Sequence, residues 1–294
     1  MHHSVYDGLS NLYLTWTYSG ESCDPSILPN FKSFSLIQNI YLHLRMIITA
    51  PYNIFISITK AKDVNPINNG KPLTGIKKYV YLEDIPFEKI KNSYKDFGIT
   101  LNDYFLAIIS KSLKDYFRLK DPNTKYSYAN IGIPISLRAK YPRSYSQVKL
   151  ENNFSAIDMR IPLIDDIKTE AKKINRITSK MKNSSEFLIN AYLLQIGVLL
   201  WPRRFMRAFN NFITSKSTLC FSNVPYFKKP LKIENSDSKL LWTTGFFQNN
   251  GAIGFTINII TYCDLVLVGI YTDVARMEDP EVFAEIMKKN LLNI

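Results

Sequence analysis

Cysteine and histidine are scarce in this chain. Its 294 residues contain three of each, and the cysteines (Cys23, Cys220, Cys263) lie far apart with no C-x-x-C pair. An odd, scattered set excludes a disulfide scaffold and a cysteine-ligated zinc site, and it fits a reducing compartment. Acidic residues are also few: 25 Asp plus Glu against 37 Lys plus Arg leave a net charge of +12. That imbalance favours anionic partners such as nucleic acid, phosphorylated cofactors or an acidic membrane surface. No helix-turn-helix, zinc-finger or RNP-type block accompanies the charge, so the 18 Tyr and 18 Phe read as core residues and no nucleic-acid partner is expected. No basic segment followed by an apolar run opens the chain. Two apolar stretches approach the length of a membrane span. The first, 40–58, is interrupted by His43, Arg45 and Asn53; the second, 187–201, falls short of the ~20 residues a bilayer needs. Both read as buried core helices, and the Trp201-Pro202-Arg203-Arg204 end of the second also suits a membrane interface.

What is present is enough for a sizeable core: 46% hydrophobic and 21% charged residues exclude wholesale disorder, and the length allows about two domains. Apolar spacing predicts a helix over 33–49 closed by Pro51, then strands at 52–59 and 77–82. A helix follows from 86 to 97 with Gly98 as its stop. Thr100 stands as the N-cap of the next, with Asp103 three residues on and Phe105, Ile108, Ile109, Leu113 and Tyr116 at helical spacing. Strands are expected at 127–137 and 153–161, a charged helix at 165–182, and an apolar helix at 186–213 interrupted by Pro202. Strands at 217–223, 239–247, 253–262 and 264–272 come next, the last two joined through Cys263-Asp264, and Pro280 opens a terminal helix. Interleaved strands and helices with an antiparallel component near the end make a mixed α/β protein. The Pro-containing basic stretch 138–149 is the best boundary, giving domains 1–140 and 141–294.

The residues that carry chemistry stand near the start, as His2-His3-x-x-x-Asp7-Gly8. A histidine can take a proton from an alcohol or thiol and return it to a leaving group. A carboxylate four residues later can orient the ring, or brace the loop through an arginine elsewhere. Gly8 permits a sharp backbone departure. The same residues also fit a satisfied surface loop, or partial metal ligands lacking a third group.

The surroundings of this motif resemble a known family. HH-x-x-x-DG is similar to the active-site motif of the CoA-dependent acyltransferase superfamily. Thr100-Leu101-Asn102-Asp103-Tyr104-Phe105-Leu106-Ala107 resembles the TvNDvvLA block of the wax ester synthase/acyl-CoA:diacylglycerol acyltransferase family. Asn68-Asn69-Gly70-Lys71-Pro72 is similar to its LNGP segment, and Ile133-Pro134-Ile135-Ser136-Leu137-Arg138 to its vPVslR strand. Asn152-Asn153-Phe154-Ser155, Phe221-Ser222-Asn223-Val224-Pro225 and Thr261-Tyr262-Cys263-Asp264 follow in family order, the second departing after its proline as Tyr226-Phe227.

The resemblance implies a two-domain, chloramphenicol acetyltransferase-like fold with mixed sheets, its first domain incomplete because the motif stands so near residue 1. It implies acyl transfer from acyl-CoA to a diacylglycerol or long-chain alcohol hydroxyl, with no metal and no cofactor beyond the CoA substrate. His3 would be the general base, Asp7 would hold the motif loop, and His2, Gly8, Asn102, Asp103, Ser222 and Asn223 would support the site. Thr100 with Asp103 is also a capping box, which accounts for that aspartate without chemistry. Hydrophobic substrates and basic charge imply an intracellular protein at a membrane or lipid-droplet surface: endoplasmic reticulum, lipid droplet or inner plasma membrane. The alternative is an inactive lipid-binding remnant of the same fold.

Overall fold

The structure, a computed structural model, describes residues 7–19, 25–28, 35–138, 142–236, 238–240 and 251–292, with residues 83 and 84 described by backbone alone. Its centre is one six-stranded sheet. The strands are β1 (Lys77–Pro86), β2 (Tyr128–Ser136), β3 (Phe154–Pro162), β4 (Leu219–Pro225), β5 (Phe255–Tyr262) and β6 (Leu265–Asp273). Their spatial order is β1-β6-β5-β4-β2-β3. Strands β2, β4 and β5 run parallel, whereas β1, β6 and β3 pair antiparallel with their neighbours. The expected mixed α/β class is therefore found, and β5–β6 is the expected hairpin, turning at Cys263 with φ +52. The 138–149 stretch joins β2 to β3, which pair along their whole length.

One sheet face carries the main core. Helix α3 (Phe87–Asp96), α4 (Leu101–Lys120), α5 (Ile167–Lys182) and α8 (Pro280–Leu292) contribute to it with inward strand residues such as Ile131, Phe221, Ile257 and Val268. Helix α4 is its pillar: Phe105, Ile108, Ile109 and Leu113 are all 0% exposed and Tyr116 only 3%. At roughly 2 kcal/mol for each fully buried large side chain, this helix anchors the layer rather than decorating it. Gly98, with φ +64, occupies the left-handed position between α3 and α4 that β-carbon-bearing residues avoid. A second cluster lies at one strand edge, where Leu12, Tyr13 and Trp16 of α1 (Gly8–Thr17) meet Tyr226, Phe227 and Tyr262.

Three expectations are corrected. Residues 52–59 are not a strand: α2 runs from Leu36 to Thr59 with Pro51 inside it. Alternating Ile54, Ile56 and Ile58 imitate a strand period, but Lys216 reaches the far end of this helix. Its Nζ donates to the carbonyls of Ser57 (2.8 Å) and Ile58 (2.7 Å), satisfying acceptors that a helix terminus leaves open. Nor is 40–58 a buried core helix, since Leu42 is the one buried residue of α2 while Ile37 and Ile48 are 80% and 79% exposed. Helix α6 (Glu186–Leu200) likewise exposes Val198, Leu199 and Leu200 before Pro202 leads into α7 (Arg203–Thr214). Among the described residues no helix is long and apolar enough to cross a membrane. The expected strand at 239–247 lies outside the described residues beyond Leu240; Lys239 forms an isolated bridge with Lys232.

Candidate active site

The carboxyl ends of β2, β4 and β5 share one edge of the sheet, because these strands are parallel. Open α/β sheets place ligands at this kind of edge. Here it receives the start of α1. Asp7 is the N-cap of that helix, in extended conformation, and its Oδ1 accepts the Ser10 N–H at 2.9 Å. Its Oδ2 accepts from Arg138 Nη1 at 2.6 Å and from the Asn153 N–H at 2.9 Å. The Asp7 and Arg138 side chains are 6% and 5% exposed. Arg138 also donates through Nη2 to Ser10 Oγ (2.7 Å) and the Glu151 carbonyl (3.0 Å).

Burial alone would push the Asp7 carboxyl up. Hydrogen bonds from Arg138, Ser10 and Asn153, together with the guanidinium charge, outweigh it and hold the group below its ordinary value. Oδ1 caps α1 locally, while both bonds of Oδ2 tie Asp7 to the β2–β3 connection. Asp7 is thus engaged as a brace, with Arg138 as the arginine that sequence reasoning left unnamed. Arg138 closes the Ile133-to-Arg138 block, but nothing local marks it as the partner of a residue 131 positions away. His2 and His3 lie outside the described residues. The third histidine, His43, sits on α2, with Nδ1 against the Asn39 carbonyl (2.8 Å) and Nε2 near the Tyr192 hydroxyl (3.3 Å).

Beside this brace, the start of α4 meets the end of β4. Asn223 Nδ2 donates to Asn102 Oδ1 at 2.5 Å, while the buried Asn223 Oδ1 has no hydrogen-bond partner among the described residues. Both residues line a cavity of about 300 Å³ with Thr100, Lys182, Pro225 and Thr261. Ser222, on the same strand, is buried with Asn258 as its β5 register partner. The structure therefore brings Asn102 and Asn223 together at a cavity. Thr261 belongs to the Thr261-to-Asp264 block, whereas Lys182 is a lining residue that no sequence motif singled out.

Asp103 does not line that cavity. It completes a capping box with Thr100, accepting from its N–H (3.1 Å) and hydroxyl (2.7 Å), and also accepts from Asn175 (2.7 Å) and Thr178 (2.5 Å) of α5. Burial would raise its pKa, but the bonds from Thr178, Thr100 and Asn175 and the charge of Lys182 bring it below the ordinary value. A depressed folded-state pKa stabilises above the unfolded value and loses that contribution as pH falls through the folded one. Asp103→Ala is therefore expected to cost about 3 kcal/mol near neutral pH. The gap from wild type narrows in acid, below about pH 4, as the wild-type carboxylate itself is protonated. Urea titrations across this range check both the size and the sign.

Residues 150–294 match the family model of the WS/DGAT C-terminal domain. Wax ester synthase/diacylglycerol acyltransferase 2 of Arabidopsis thaliana is 21% identical over 319 residues, covering 97% of this chain and 66% of that protein. Residues 150–294 thus carry a domain of the WS/DGAT C-terminal type. The wax ester synthase/diacylglycerol acyltransferase from Marinobacter aquaeolei VT8 superposes with a TM-score of 0.59 at 15% identity, covering 99% of this chain and 64% of that one. The first condensation domain of the calcium-dependent antibiotic synthetase, in complex with a substrate analogue, gives 0.60 at 12% identity over 99% and 62%. The CoA-dependent acyltransferase fold is thus shared, and the chain spans slightly less than two thirds of each relative's length. In this chain the braced Asp7 and the Asn102–Asn223 cavity occupy the same carboxyl edge of the sheet.

Proposed function

We propose that the protein is an O-acyltransferase that moves a fatty acyl group from a CoA thioester to a diacylglycerol or long-chain alcohol hydroxyl. The observation that carries this is the buried Asp7–Arg138 brace, which fastens the residues following His3 to the edge holding the Asn102–Asn223 cavity. His3 acts as the general base: it takes the hydroxyl proton as the alcohol oxygen attacks the thioester carbonyl. Collapse of the tetrahedral adduct breaks the C–S bond, and the protonated imidazole returns its proton to the CoA sulfur. The products are one ester and one free CoA. Asn223, whose Oδ1 is left without a partner among the described residues, and Asn102 position the acceptor beside that chemistry. Incubation with labelled acyl-CoA and either acceptor, followed by lipid separation, tests the reading. Labelled triacylglycerol or wax ester is expected; acyl-CoA binding with no ester formed would leave only a lipid-binding protein.

The protein meets these substrates at an intracellular membrane or lipid-droplet surface. Supporting this, α2 and α6 present Ile37, Ile48, Val198 and Leu199 to solvent, and the exposed cations Arg203 and Arg204 of α7 lie at the end of that face. Apolar side chains beside cations fit an acidic lipid surface. Ile48→Lys together with Leu199→Lys is expected to abolish co-sedimentation with anionic vesicles without lowering the melting temperature. Undiminished sedimentation of that variant would rule this face out.

A further inference from the structure

The opposite edge of the sheet holds a second, larger cavity of about 1120 Å³. It lies between the 62–77 segment before β1, the far end of α7, and the residues flanking β5 and β6. Strand β5 has eight residues, so at ~3.3 Å per residue about 25 Å separates this cavity from the Asn223–Thr261 edge. The two cavities share no lining residue.

Its charge is one-sided. Lys62, Lys71, Lys77, Arg207 and Arg276 line it, and among the described residues none of the lining side chains is acidic. Two carboxylates adjoin the lining segments in sequence or by hydrogen bond, Asp273 and Asp63, and both are already engaged. Asp273 is fully buried and takes Lys77 (2.9 Å), the Thr74 N–H and hydroxyl, and the Gly75 N–H. Asp63 accepts from the Asn130 N–H and the Thr218 hydroxyl. Arg276 is 7% exposed and, among the described residues, bonds neutral oxygens: Lys71 O (2.8 Å), Asn69 Oδ1 (3.1 Å) and Ala252 O (3.1 Å). This buried guanidinium fixes the 69–71 loop as the cavity wall. The cationic ends of Lys62, Lys71 and Arg207 make no ion pair or hydrogen bond among the described residues. Gly70, with φ +77, leaves open space where a side chain would stand beside them.

Several cations converging on one concavity, with no carboxylate to neutralise them, match a multiply charged anion with several acceptor oxygens. We propose that this cavity binds phosphoryl groups, held by Lys62, Lys71 and Arg207. The phosphoryl group belongs either to a small soluble phosphate compound or to an anionic lipid headgroup.

The test uses the intact protein, the variant Lys62→Ala/Lys71→Ala/Arg207→Ala, and a control that removes three exposed lysines of α5, Lys168→Ala/Lys172→Ala/Lys180→Ala. All substituted side chains are exposed, so matching melting curves are expected. Inorganic pyrophosphate is titrated calorimetrically. Sedimentation is then compared for pure phosphatidylcholine vesicles and for vesicles of four parts phosphatidylcholine to one part phosphatidic acid. Saturable pyrophosphate binding, weakened at least about tenfold in the cavity variant but not in the control, supports the site and a soluble ligand. Phosphatidic acid-dependent sedimentation lost only in the cavity variant, and displaced by pyrophosphate but not by potassium chloride of equal ionic strength, supports the site and a lipid headgroup. The proposal is overturned if neither probe binds saturably, or if the control loses binding as much as the cavity variant.

Discussion

Arg138→Met is expected to lower stability by about 3–5 kcal/mol, because it strands the Asp7 carboxylate in a buried position without its cation. The side chains of the pair are only 5% and 6% exposed, so water cannot replace the lost guanidinium. The loss extends beyond the pair, since Ser10 Oγ and the Glu151 carbonyl each lose one of their donors. Neutralising both partners has a different outcome. In Asp7→Asn/Arg138→Met the uncompensated charge is gone, and a neutral N-cap still accepts the Ser10 N–H. The double variant should therefore be more stable than Arg138→Met alone, a coupling that a urea-denaturation cycle resolves directly. An Arg138→Met midpoint equal to wild type would mean that the brace carries no weight. Acyl transfer should fall in Arg138→Met, because Asp7 and the start of α1 lose their tie through Arg138 to the β2–β3 connection.

How much of this was legible in the sequence depends on how local each cause is. The α4 helix was readable because its cap, its apolar period and its length all lie within twenty consecutive residues. The β5–β6 hairpin and the terminal helix opened by Pro280 were readable for the same reason. The second half of α2 was misread because what ends that helix is Lys216, more than 150 positions away, and not a local stop signal. The exposure of α2 and α6 was misread because apolar composition reports what favours burial, while burial itself requires a partner surface that sequence alone does not supply. In the candidate site, Asp7 was evident from its motif and a bracing arginine was foreseeable as a type, but its identity as Arg138 needed the β2–β3 pairing. Asn102 and Asn223 each stood in a motif, whereas their 2.5 Å contact is a product of topology. The large cationic cavity left no signal of its own beyond the Asn68-to-Pro72 block: it is assembled from four separate segments, and only the unneutralised charge of the whole chain hinted at its character.

The second large effect concerns the base. Removing a general base typically costs 10²–10⁴-fold in rate, because the attacking hydroxyl must then lose its proton to water. His3→Ala removes only an imidazole and leaves the Asp7–Arg138 brace and the main core untouched, so stability should stay within about 0.5 kcal/mol of wild type. Acyl-CoA binding should also persist, which separates a chemical defect from a binding one. The decisive measurement is the initial rate of labelled ester formation from acyl-CoA and a long-chain alcohol or diacylglycerol, compared between wild type and His3→Ala at equal folded concentration. A fall of two or more orders of magnitude, about the typical contribution of a general base, is the predicted result; ester formation by His3→Ala at the wild-type rate would contradict it.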